Sequence, residues 1–309
     1  MHISITGGLG FIGSKFGSTL SDAGHDVRLV DIRDQDIKPD FDYLQGNVLN
    51  TEDCRATCDG MDIIVHCAAM HAASTVAKNP LTTIETNVTG TLNLLHAAIS
   101  SGVKRIIYLS TAKVYGDPKI LPSTESDIPI PRETYALSKM TSEYHCHTLQ
   151  ARSNLDIVII RPYSVYGPAQ ELGSGYVGMI LSSILNGTEL RLPGRPDFIR
   201  DFVHIDDVTS LCLQAATADL PGVTTLNAGS GQQTSLRDLL RLASEIIGFN
   251  LESSYHDPGP ETMVRMQACM KHTEAVLGYR PRYDLREGLT ETIEWFQQNR
   301  TATEKAVGR

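Results

Sequence analysis

The segment TGGLGFIG occupies residues 6–13 and joins two stretches of different periodicity. His2–Thr6 alternates polar and apolar side chains in the manner of a β-strand, and the residues after the segment follow a helical pattern to about Ala23, closed by Gly24. A second strand is predicted at Val27–Asp31. A glycine-rich turn between a strand and a helix, followed by another strand, is typical of a βαβ unit with a parallel sheet.

The same alternation continues through the first half of the chain. Further strands are predicted at Asp62–Cys67, Arg105–Ser110 and Leu155–Arg161, and helices at Leu81–Ser101 and Glu133–Arg152. We therefore expect an α/β fold, in which a Rossmann-type, doubly wound parallel sheet carries helices on both faces.

The pattern changes after Pro168. The elements expected first are a loop and a helix within Gly173–Gly194 and a turn at Pro193–Asp197. They are followed by helices at His204–Thr217 and Leu236–Ile247, a strand at Thr224–Asn227 and a final amphipathic helix within Pro281–Gln298. The segment Ser253–Lys271 follows no clear pattern. We infer a large domain of residues 1–168, to which 201–228 returns. A smaller α/β C-terminal domain for the substrate would be built from 169–200 and 229–309.

Composition excludes several classes of protein. The 309 residues are 41% hydrophobic and carry a formal net charge of -9 at pH 7, so a core can form but no basic excess exists to meet the phosphates of a nucleic acid. No signal peptide and no apolar run of about 20 residues is visible, which predicts a cytoplasmic protein without a membrane partner. The six cysteines form no CxxC pair, so we expect reduced thiols and no metal site.

The glycines of the first turn fit a dinucleotide. Read as GxGxxG from Gly8 or as GxxGxxG from Gly7, the turn lets the backbone approach a pyrophosphate, and the helix that follows offers free N–H groups. Asp31 lies 18 residues after Gly13 at the end of the second strand, where a carboxylate accepts both ribose hydroxyls and repels a 2′-phosphate. The sequence thus predicts NAD in preference to NADP, although Arg33 nearby leaves some use of NADP open.

A second group of residues suggests acid–base chemistry. Tyr135 and Lys139 are four residues apart and so lie on one face of a predicted helix, where an ammonium group stabilises a phenolate that acts as a general base. Thr111 follows a predicted strand at the sheet edge where substrates bind, and its hydroxyl could hydrogen-bond the reacting oxygen. A tyrosine and lysine at this spacing also occur by chance on protein surfaces.

The order of the motifs resembles one family closely. These motifs are TGGLGFIG, HCAA at 66–69, Asn87 in ETNVTGTLNLL, LSTAKVYG, YALSK, RPYSVYGP at 161–168, RDFVHIDDV at 200–208, NAGSG at 227–231 and LGYRPRYDLREGL at 277–289. They run almost from end to end of the chain. The sequence resembles the extended short-chain dehydrogenases/reductases, and within them the NAD-dependent sugar-nucleotide epimerase/dehydratase family.

The resemblance implies roles for individual residues. The cofactor would be held by Gly7, Gly10, Phe11, Ile12 and Gly13 at the pyrophosphate, Asp31 at the ribose, Asn47 and Val48 beside the adenine, and Ala68, Ala69, Asn87, Tyr135 and Lys139 along the rest of its path. Thr111, Tyr135 and Lys139 match the catalytic positions. The substrate would contact Thr111, Ser164, Arg200 and Arg265, with the two arginines on the nucleotide diphosphate.

Three positions depart from the family pattern. Asn47 stands where the family commonly has Asp, and Ser164 replaces an Asn that often contacts the nucleotide sugar. Cys269 replaces an Asp that is common near the arginine for the diphosphate. The sequence therefore leaves the sugar and the nucleotide open.

The resemblance implies a nucleotide-sugar epimerase, similar to UDP-sugar 4-epimerases, that inverts C4 of a UDP-hexose through a transient 4-keto intermediate. In dehydratases of the family an Asp-Glu pair follows the strand-end Thr, whereas this chain has Ala112 and Lys113. The alternatives are a dehydratase, decarboxylase or ketosugar reductase on the same scaffold, and a catalytically silent NAD-binding protein. A homodimer through helices 81–101 and 133–152 is also implied.

Overall fold

A computed structural model describes residues 1–34, 41–71, 76, 78–257, 259 and 263–299. The last part of the expected C-terminal domain, 300–309, and part of the segment 253–271 therefore lie outside the described residues.

The described chain alternates strands and helices. Its strands are β1 (His2–Thr6), β2 (Asp26–Asp31), β3 (Asp42–Gln45), β4 (Ile63–His66), β5 (Arg105–Leu109), β6 (Asp156–Pro162), β7 (Ser164–Tyr166), β8 (Leu190–Pro193), β9 (Ile199–Arg200), β10 (Phe202–His204), β11 (Val223–Ala228), β12 (Thr234–Ser235) and β13 (Ser253–His256). Its helices are α1 (Phe11–Asp22), α2 (Thr51–Cys58), α3 (Pro80–Ile84), α4 (Gly90–Ser101), α5 (Thr134–Gln150), α6 (Gly175–Asn186), α7 (Ile205–Thr217), α8 (Leu236–Ile247), α9 (Lys271–Leu277) and α10 (Leu285–Gln298).

Seven strands form the central sheet in the order β11-β6-β5-β4-β1-β2-β3, and every neighbouring pair is parallel. Strand β1 lies inside the sheet, with β2 and β3 on one side and β4, β5, β6 and β11 on the other. The direction of winding reverses between β1 and β4, and the crevice above such a switch point is where ligands bind in open α/β sheets. The predicted Rossmann-type fold is confirmed.

Residues of the strands alternate between two apolar layers. Ile106 and Ile107 are neighbours in β5, yet Ile107 packs into the core beneath α1 and α7, and Ile106 into the core beneath α2, α4 and α5. Side chains along a strand point to opposite faces, so a run of apolar residues indicates a strand covered on both sides. Helices therefore cover both faces of the sheet.

A further core lies outside the sheet. It joins α6, β8, α8 and α10 through buried residues that include Ile180, Leu192, Leu239, Ile293 and Phe296. Strand β11 returns to the sheet and pairs with β6, as the sequence suggests for 201–228. The exact boundaries of the two predicted domains stay a prediction.

The helix predicted at Leu81–Ser101 is interrupted. A π-helical turn at Glu85–Thr89 separates α3 from α4. The Asn87 carbonyl oxygen there accepts hydrogen bonds from the Thr91 hydroxyl at 2.6 Å and the Ser142 hydroxyl at 2.8 Å. Such turns are rare and often mark functional sites, and this one brings Asn87 against α5.

Two further findings concern the whole of the described chain. No described helix is both long and apolar enough to cross a membrane. All six cysteines are free, four of them buried and two half-buried.

Candidate active site

The glycine-rich turn between β1 and α1 is built too tightly for side chains. Gly7 has φ +67°, and a Cβ there would lie 2.8 Å from the backbone nitrogen of Ala68. A Cβ on Gly13 would lie 2.2 Å from the Gly7 carbonyl oxygen. The turn ends at Gly10, which caps α1 without any side-chain hydrogen bond. The first N–H groups of α1 have no acceptor within their helix, so they and the positive helix end favour an anion.

Asp31 lies at the end of β2, 7% exposed, beside this turn. Its carboxylate accepts a hydrogen bond from the backbone N–H of Leu9 at 3.1 Å and two from the Arg33 guanidinium at 3.0 Å each. Burial alone would raise the pKa of Asp31, but these donors hold it below its usual value. The Arg33 side chain is 56% exposed, whereas that of Asp31 is 7% exposed.

Four other predicted cofactor residues border the same edge. Asn47 uses its side-chain oxygen to accept from the N–H of Leu49 at 2.9 Å, which fixes the turn after β3. The Val48 side chain packs against Gly90, where a Cβ would lie 2.5 Å from it. Ala68 and Ala69 follow β4, and the N–H of Ala68 donates to the Thr6 hydroxyl at 3.3 Å. Their contacts with a cofactor stay a prediction.

Asn87 joins two parts of the site. Its side-chain amide donates to the Met70 carbonyl at 3.1 Å and to the Ser138 hydroxyl at 2.9 Å, and its oxygen accepts from the N–H of Met70 at 2.8 Å. Ser138 in turn donates to the carbonyl of Tyr135 at 2.7 Å. Asn87 therefore fixes the loop after β4 against the first turn of α5, and a direct contact with the cofactor stays a prediction.

His66 forms part of the same buried framework. Its ring nitrogens lie 2.7 Å from the Thr6 hydroxyl and 3.0 Å from the Thr91 hydroxyl. Because Thr91 donates its own proton to Asn87, the ring must donate from Nε2 to Thr91 and accept at Nδ1 from Thr6. Burial lowers the pKa of His66 to about 3, so the imidazole is neutral and acts as a structural link between β1 and α4.

Tyr135 and Lys139 lie on one face of α5, next to the end of β5. Burial raises the pKa of the Tyr135 phenol, the charge of Glu133 raises it further, and the Thr111 hydroxyl lowers it. Lys139 is 2% exposed, and its Nζ lies 4.5 Å from the centroid of the Tyr108 ring. Burial lowers the pKa of Lys139 to about 8. The structure thus brings the three predicted catalytic residues to one edge of the sheet.

Glu133 is the site residue that the sequence reasoning missed. Its carboxylate accepts a hydrogen bond from Lys113 Nζ at 2.6 Å. Lys113 belongs to the short 3-10 helix Ala112–Tyr115, which follows Thr111, and Glu133 immediately precedes α5. The signal available was a carboxylate two residues before Tyr135, but nothing in the spacing showed that it would meet Lys113, 20 residues earlier.

A buried ion pair supports the helix from behind. Arg161 donates to both Glu143 oxygens, at 3.1 and 2.6 Å, and the Ser110 hydroxyl donates to the same carboxylate. Glu143 is one helical turn after Lys139. The pair therefore ties α5 to β6 and to the end of β5 just beneath the catalytic edge.

The predicted substrate arginines lie together but differ in exposure. Arg200 is 5% exposed and donates to the carbonyls of Ile199 at 2.8 Å and Met263 at 2.9 Å, and to the Tyr176 hydroxyl at 3.1 Å. Arg265 is exposed, and its backbone bridges to Ile199 beside Arg200. No carboxylate forms an ion pair with either guanidinium in the part of the chain that the structure describes. Ser164 lies half-buried in β7, where its N–H donates to the Asp201 carbonyl at 2.9 Å.

These residues fit a bound NAD. The glycines let the turn pack tightly against neighbouring backbone at the start of α1, whose first N–H groups suit a pyrophosphate, and Asp31 offers ribose hydroxyls an ionised acceptor. Tyr135 and Lys139 lie across the switch point from this turn.

Comparison with known proteins agrees with this reading. A model of the NAD-dependent epimerase/dehydratase family matches residues 3–229. A UDP-glucose 4-epimerase from Mycolicibacterium smegmatis is 28% identical over 96% of this chain and 99% of its own. The structure of a UDP-glucose 4-epimerase from Thermotoga maritima with UDP-glucose matches with a TM-score of 0.91 and 28% identity, covering 97% of this chain and 99% of that one.

A neighbour with different chemistry fits equally well. The structure of a dTDP-glucose 4,6-dehydratase from Streptomyces venezuelae also has a TM-score of 0.91, with 27% identity over 98% of both chains. The overall fold therefore does not separate the reactions of these relatives. The family model covers most of the chain, and the chain belongs to the NAD-dependent epimerase/dehydratase family, as an enzyme whose cofactor is NAD.

Proposed function

We propose that this enzyme inverts C4 of a UDP-hexose through a transient 4-keto intermediate. The observation that carries the proposal is the position of Tyr135 beside Thr111 at the sheet edge, with Lys139 one turn further along α5. Relatives over nearly the whole chain that are named UDP-glucose 4-epimerase support it.

In this proposal Tyr135 removes the proton of the C4 hydroxyl and later returns it. Thr111 holds the same sugar oxygen by a hydrogen bond. The chemistry that NAD supplies when bound is the acceptance and return of a hydride. With a pKa of about 8, Lys139 keeps its positive charge at neutral pH and offsets the negative charge that develops on the phenol.

Ala112 supports epimerisation over elimination. A 4,6-dehydratase must also remove the proton at C5 and expel the 6-hydroxyl, which requires an acid and a base in addition to the tyrosine. Alanine at 112 supplies neither. Inversion at C4 needs no such pair.

A dehydratase is the second candidate, and Glu133 is the observation that favours it. The ion pair of Lys113 and Glu133 holds an ammonium and a carboxylate 2.6 Å apart near Tyr135, which together could serve as an acid and a base. Glu133 thus supplies near Tyr135 a carboxylate that positions 112 and 113 lack.

Arg200 and Arg265 are proposed to hold the diphosphate of the nucleotide, and Ser164 to contact the sugar. A buried guanidinium without a carboxylate partner suits an anionic ligand, because such a charge is costly to bury otherwise. The nucleotide is proposed to be a uridine diphosphate on the strength of the relatives alone.

Incubation with a panel of UDP-, dTDP-, GDP- and CDP-sugars tests the reaction, with products identified by NMR. We expect inversion of one sugar with no net consumption of NAD. A 4-keto-6-deoxy product at a comparable rate would identify a dehydratase, release of CO2 from a uronate a decarboxylase, and stoichiometric use of NADH a ketosugar reductase. Retention of NAD with no turnover of any sugar would indicate a silent binding protein.

We further propose a homodimer formed by α3, α4 and α5. Three large apolar side chains on these helices are exposed, Leu81 at 78%, Tyr144 at 58% and Leu137 at 45%. A second copy would cover them. Light scattering after size exclusion should give twice the mass of one chain, and Leu81→Asp with Leu137→Asp should give a monomer. The division into two domains and a cytoplasmic location stay predictions.

A further inference from the structure

An ion pair between Lys113 and Glu133 lies near Tyr135. Lys113 Nζ and Glu133 Oε1 are 2.6 Å apart, and their side chains are 40% and 26% exposed. Lys113 is two residues after Thr111, and Glu133 is two residues before Tyr135. The pair therefore links the two segments of chain on which the proposed acid–base chemistry depends.

Lys113 lies near the Tyr135 ring, and Glu133 is hydrogen-bonded to Lys113. Lys113 Nζ is 5.8 Å from the ring centroid. Next to burial, the charge of Glu133 is the largest influence that raises the pKa of the phenol. The Lys113 ammonium and the Glu133 carboxylate therefore both act on the Tyr135 phenol, and Lys113 holds Glu133 by a hydrogen bond.

Ordinary structural roles do not account for the pair. Glu133 occupies the residue before α5, but its side chain makes no capping hydrogen bond to the helix. As a partly exposed ion pair it should contribute little to the stability of the fold. Because the ion pair lies beside Tyr135, its main effect should be on the acidity of that phenol and not on the stability of the fold.

We propose that Lys113 is a positioning residue that sets the acidity of Tyr135 through Glu133. The ammonium holds the carboxylate in place and offsets its negative charge, so that the phenol gives up its proton more readily. The inference rests on the proposed function, in which Tyr135 is the acid–base group.

Other titratable groups around Tyr135 must be considered in any pH study. Lys139 lies on the same face of α5, and Tyr108 in β5 is close enough for its pKa to be affected by Tyr135. His71, in the loop after β4, is influenced by the charges of both Lys139 and Lys113. All of these groups are present in every variant of the ion pair.

The test is the titration of Tyr135 in the NAD-bound enzyme with and without each charge. 3-Fluorotyrosine at position 135 reports its own ionisation by 19F NMR, whether or not the enzyme turns over a sugar. Lys113→Met should raise the apparent pKa by roughly half a pH unit to one unit, because the Glu133 charge is then unopposed, and Glu133→Gln should lower it by a similar amount. The pH profile of turnover should move in the same directions.

The double variant and a control sharpen the result. Lys113→Met with Glu133→Gln should titrate close to the wild type, since both charges are gone. Lys119→Met removes an exposed lysine of the next loop and should change nothing. If Lys113→Met fails to fold, Lys113→Gln removes the same charge, keeps a polar side chain, and should shift the titration in the same direction.

Unchanged titration in either single variant, or shifts of the same sign in both, would overturn the inference. Because the NMR titration needs no turnover, a correct inference would still be seen if the proposed epimerase activity were absent.

Discussion

Arg161 and Arg200 are both 5% exposed, but their surroundings differ. Arg161 forms two hydrogen bonds with the Glu143 carboxylate and a third, at 3.0 Å, with the Tyr115 hydroxyl. Arg200 donates to backbone carbonyls and to a phenol and has no carboxylate partner among the described residues. Among the described residues, Arg161 has a carboxylate as a hydrogen-bond partner and Arg200 has none.

The pKa values of the two guanidinium groups are shifted in opposite directions. Burial alone would lower the pKa of the Arg161 guanidinium, but Glu143 holds it above its usual value. Burial lowers the pKa of Arg200, and the nearby Tyr176 and Asp117 offset this lowering only in part. Since an uncompensated buried charge is costly, its presence suggests that the compensating anion comes from a ligand. Arg161 therefore stabilises the structure of the site, whereas the Arg200 guanidinium is suited to binding a ligand there.

The largest effect should follow from breaking the compensated pair. Arg161→Met keeps an unbranched apolar side chain but removes the guanidinium and leaves Glu143 buried without its partner, which should cost about 3–5 kcal/mol of the free energy of unfolding. Arg200→Met should cost much less, because it leaves no charge behind. Denaturant unfolding of the two variants measures the difference. Equal losses would show that the two arginines do not differ in this way.

Two tyrosines extend the same comparison to hydroxyl groups. Tyr115 donates to the Asn227 side-chain oxygen at 2.7 Å within the chain, whereas Tyr135 faces the proposed substrate position. Tyr135→Phe should lower turnover at least about 100-fold and leave NAD binding and stability nearly unchanged. Tyr115→Phe should instead lower the free energy of unfolding by about 1–2 kcal/mol and leave turnover close to that of the wild type.

Turnover of the sugar substrate and denaturant unfolding are measured for both tyrosine variants. The two measurements show whether each hydroxyl contributes to catalysis or to stability. Near-normal turnover by Tyr135→Phe would mean that another group is the base. A large loss of turnover by Tyr115→Phe at unchanged stability would remove the distinction between the two hydroxyls.

The sequence predicted what local patterns determine. The turn at residues 6–13, Asp31 at the end of β2 and the spacing of Tyr135 and Lys139 depend on residues that are close along the chain. Short strands were missed, β3 and β8 among them, because four residues with polar or proline members resemble a loop until a partner strand is known.

Contacts between distant segments were not predictable in the same way. Glu133 meets Lys113 only because the loop between them folds back, and Asn87 uses its amide on Met70 and Ser138. The interruption of the helix around Asn87 also depends on these tertiary contacts. Arg200 was identified from the family resemblance, and only the three-dimensional structure shows that no described carboxylate is hydrogen-bonded to it.

A moderate effect is expected on binding of the nucleotide. Arg200→Met should weaken the affinity for the nucleoside diphosphate by roughly 10- to 100-fold, the range expected when a charged hydrogen-bonding partner is lost from a buried site. Calorimetry with UDP, dTDP, GDP and CDP identifies the preferred nucleotide and measures the loss. Arg161→Lys, which keeps a charge beside Glu143, is the matched control and should bind the nucleotide nearly as well as the wild type. Unchanged affinity in Arg200→Met would mean that the arginine is only structural.

The smallest effect should come from Arg265, which carries the same charge beside Arg200 but is exposed. Water and salt screen exposed charges, so Arg265→Met should weaken nucleotide binding only a few-fold at about 50 mM salt. At about 500 mM salt the difference from the wild type should nearly vanish, whereas the loss in Arg200→Met should persist because its guanidinium is shielded from ions. Calorimetric titrations of both variants at the two salt concentrations measure this. If both losses decline with salt to the same degree, burial does not distinguish the two arginines, and Arg200 must become exposed when the nucleotide binds.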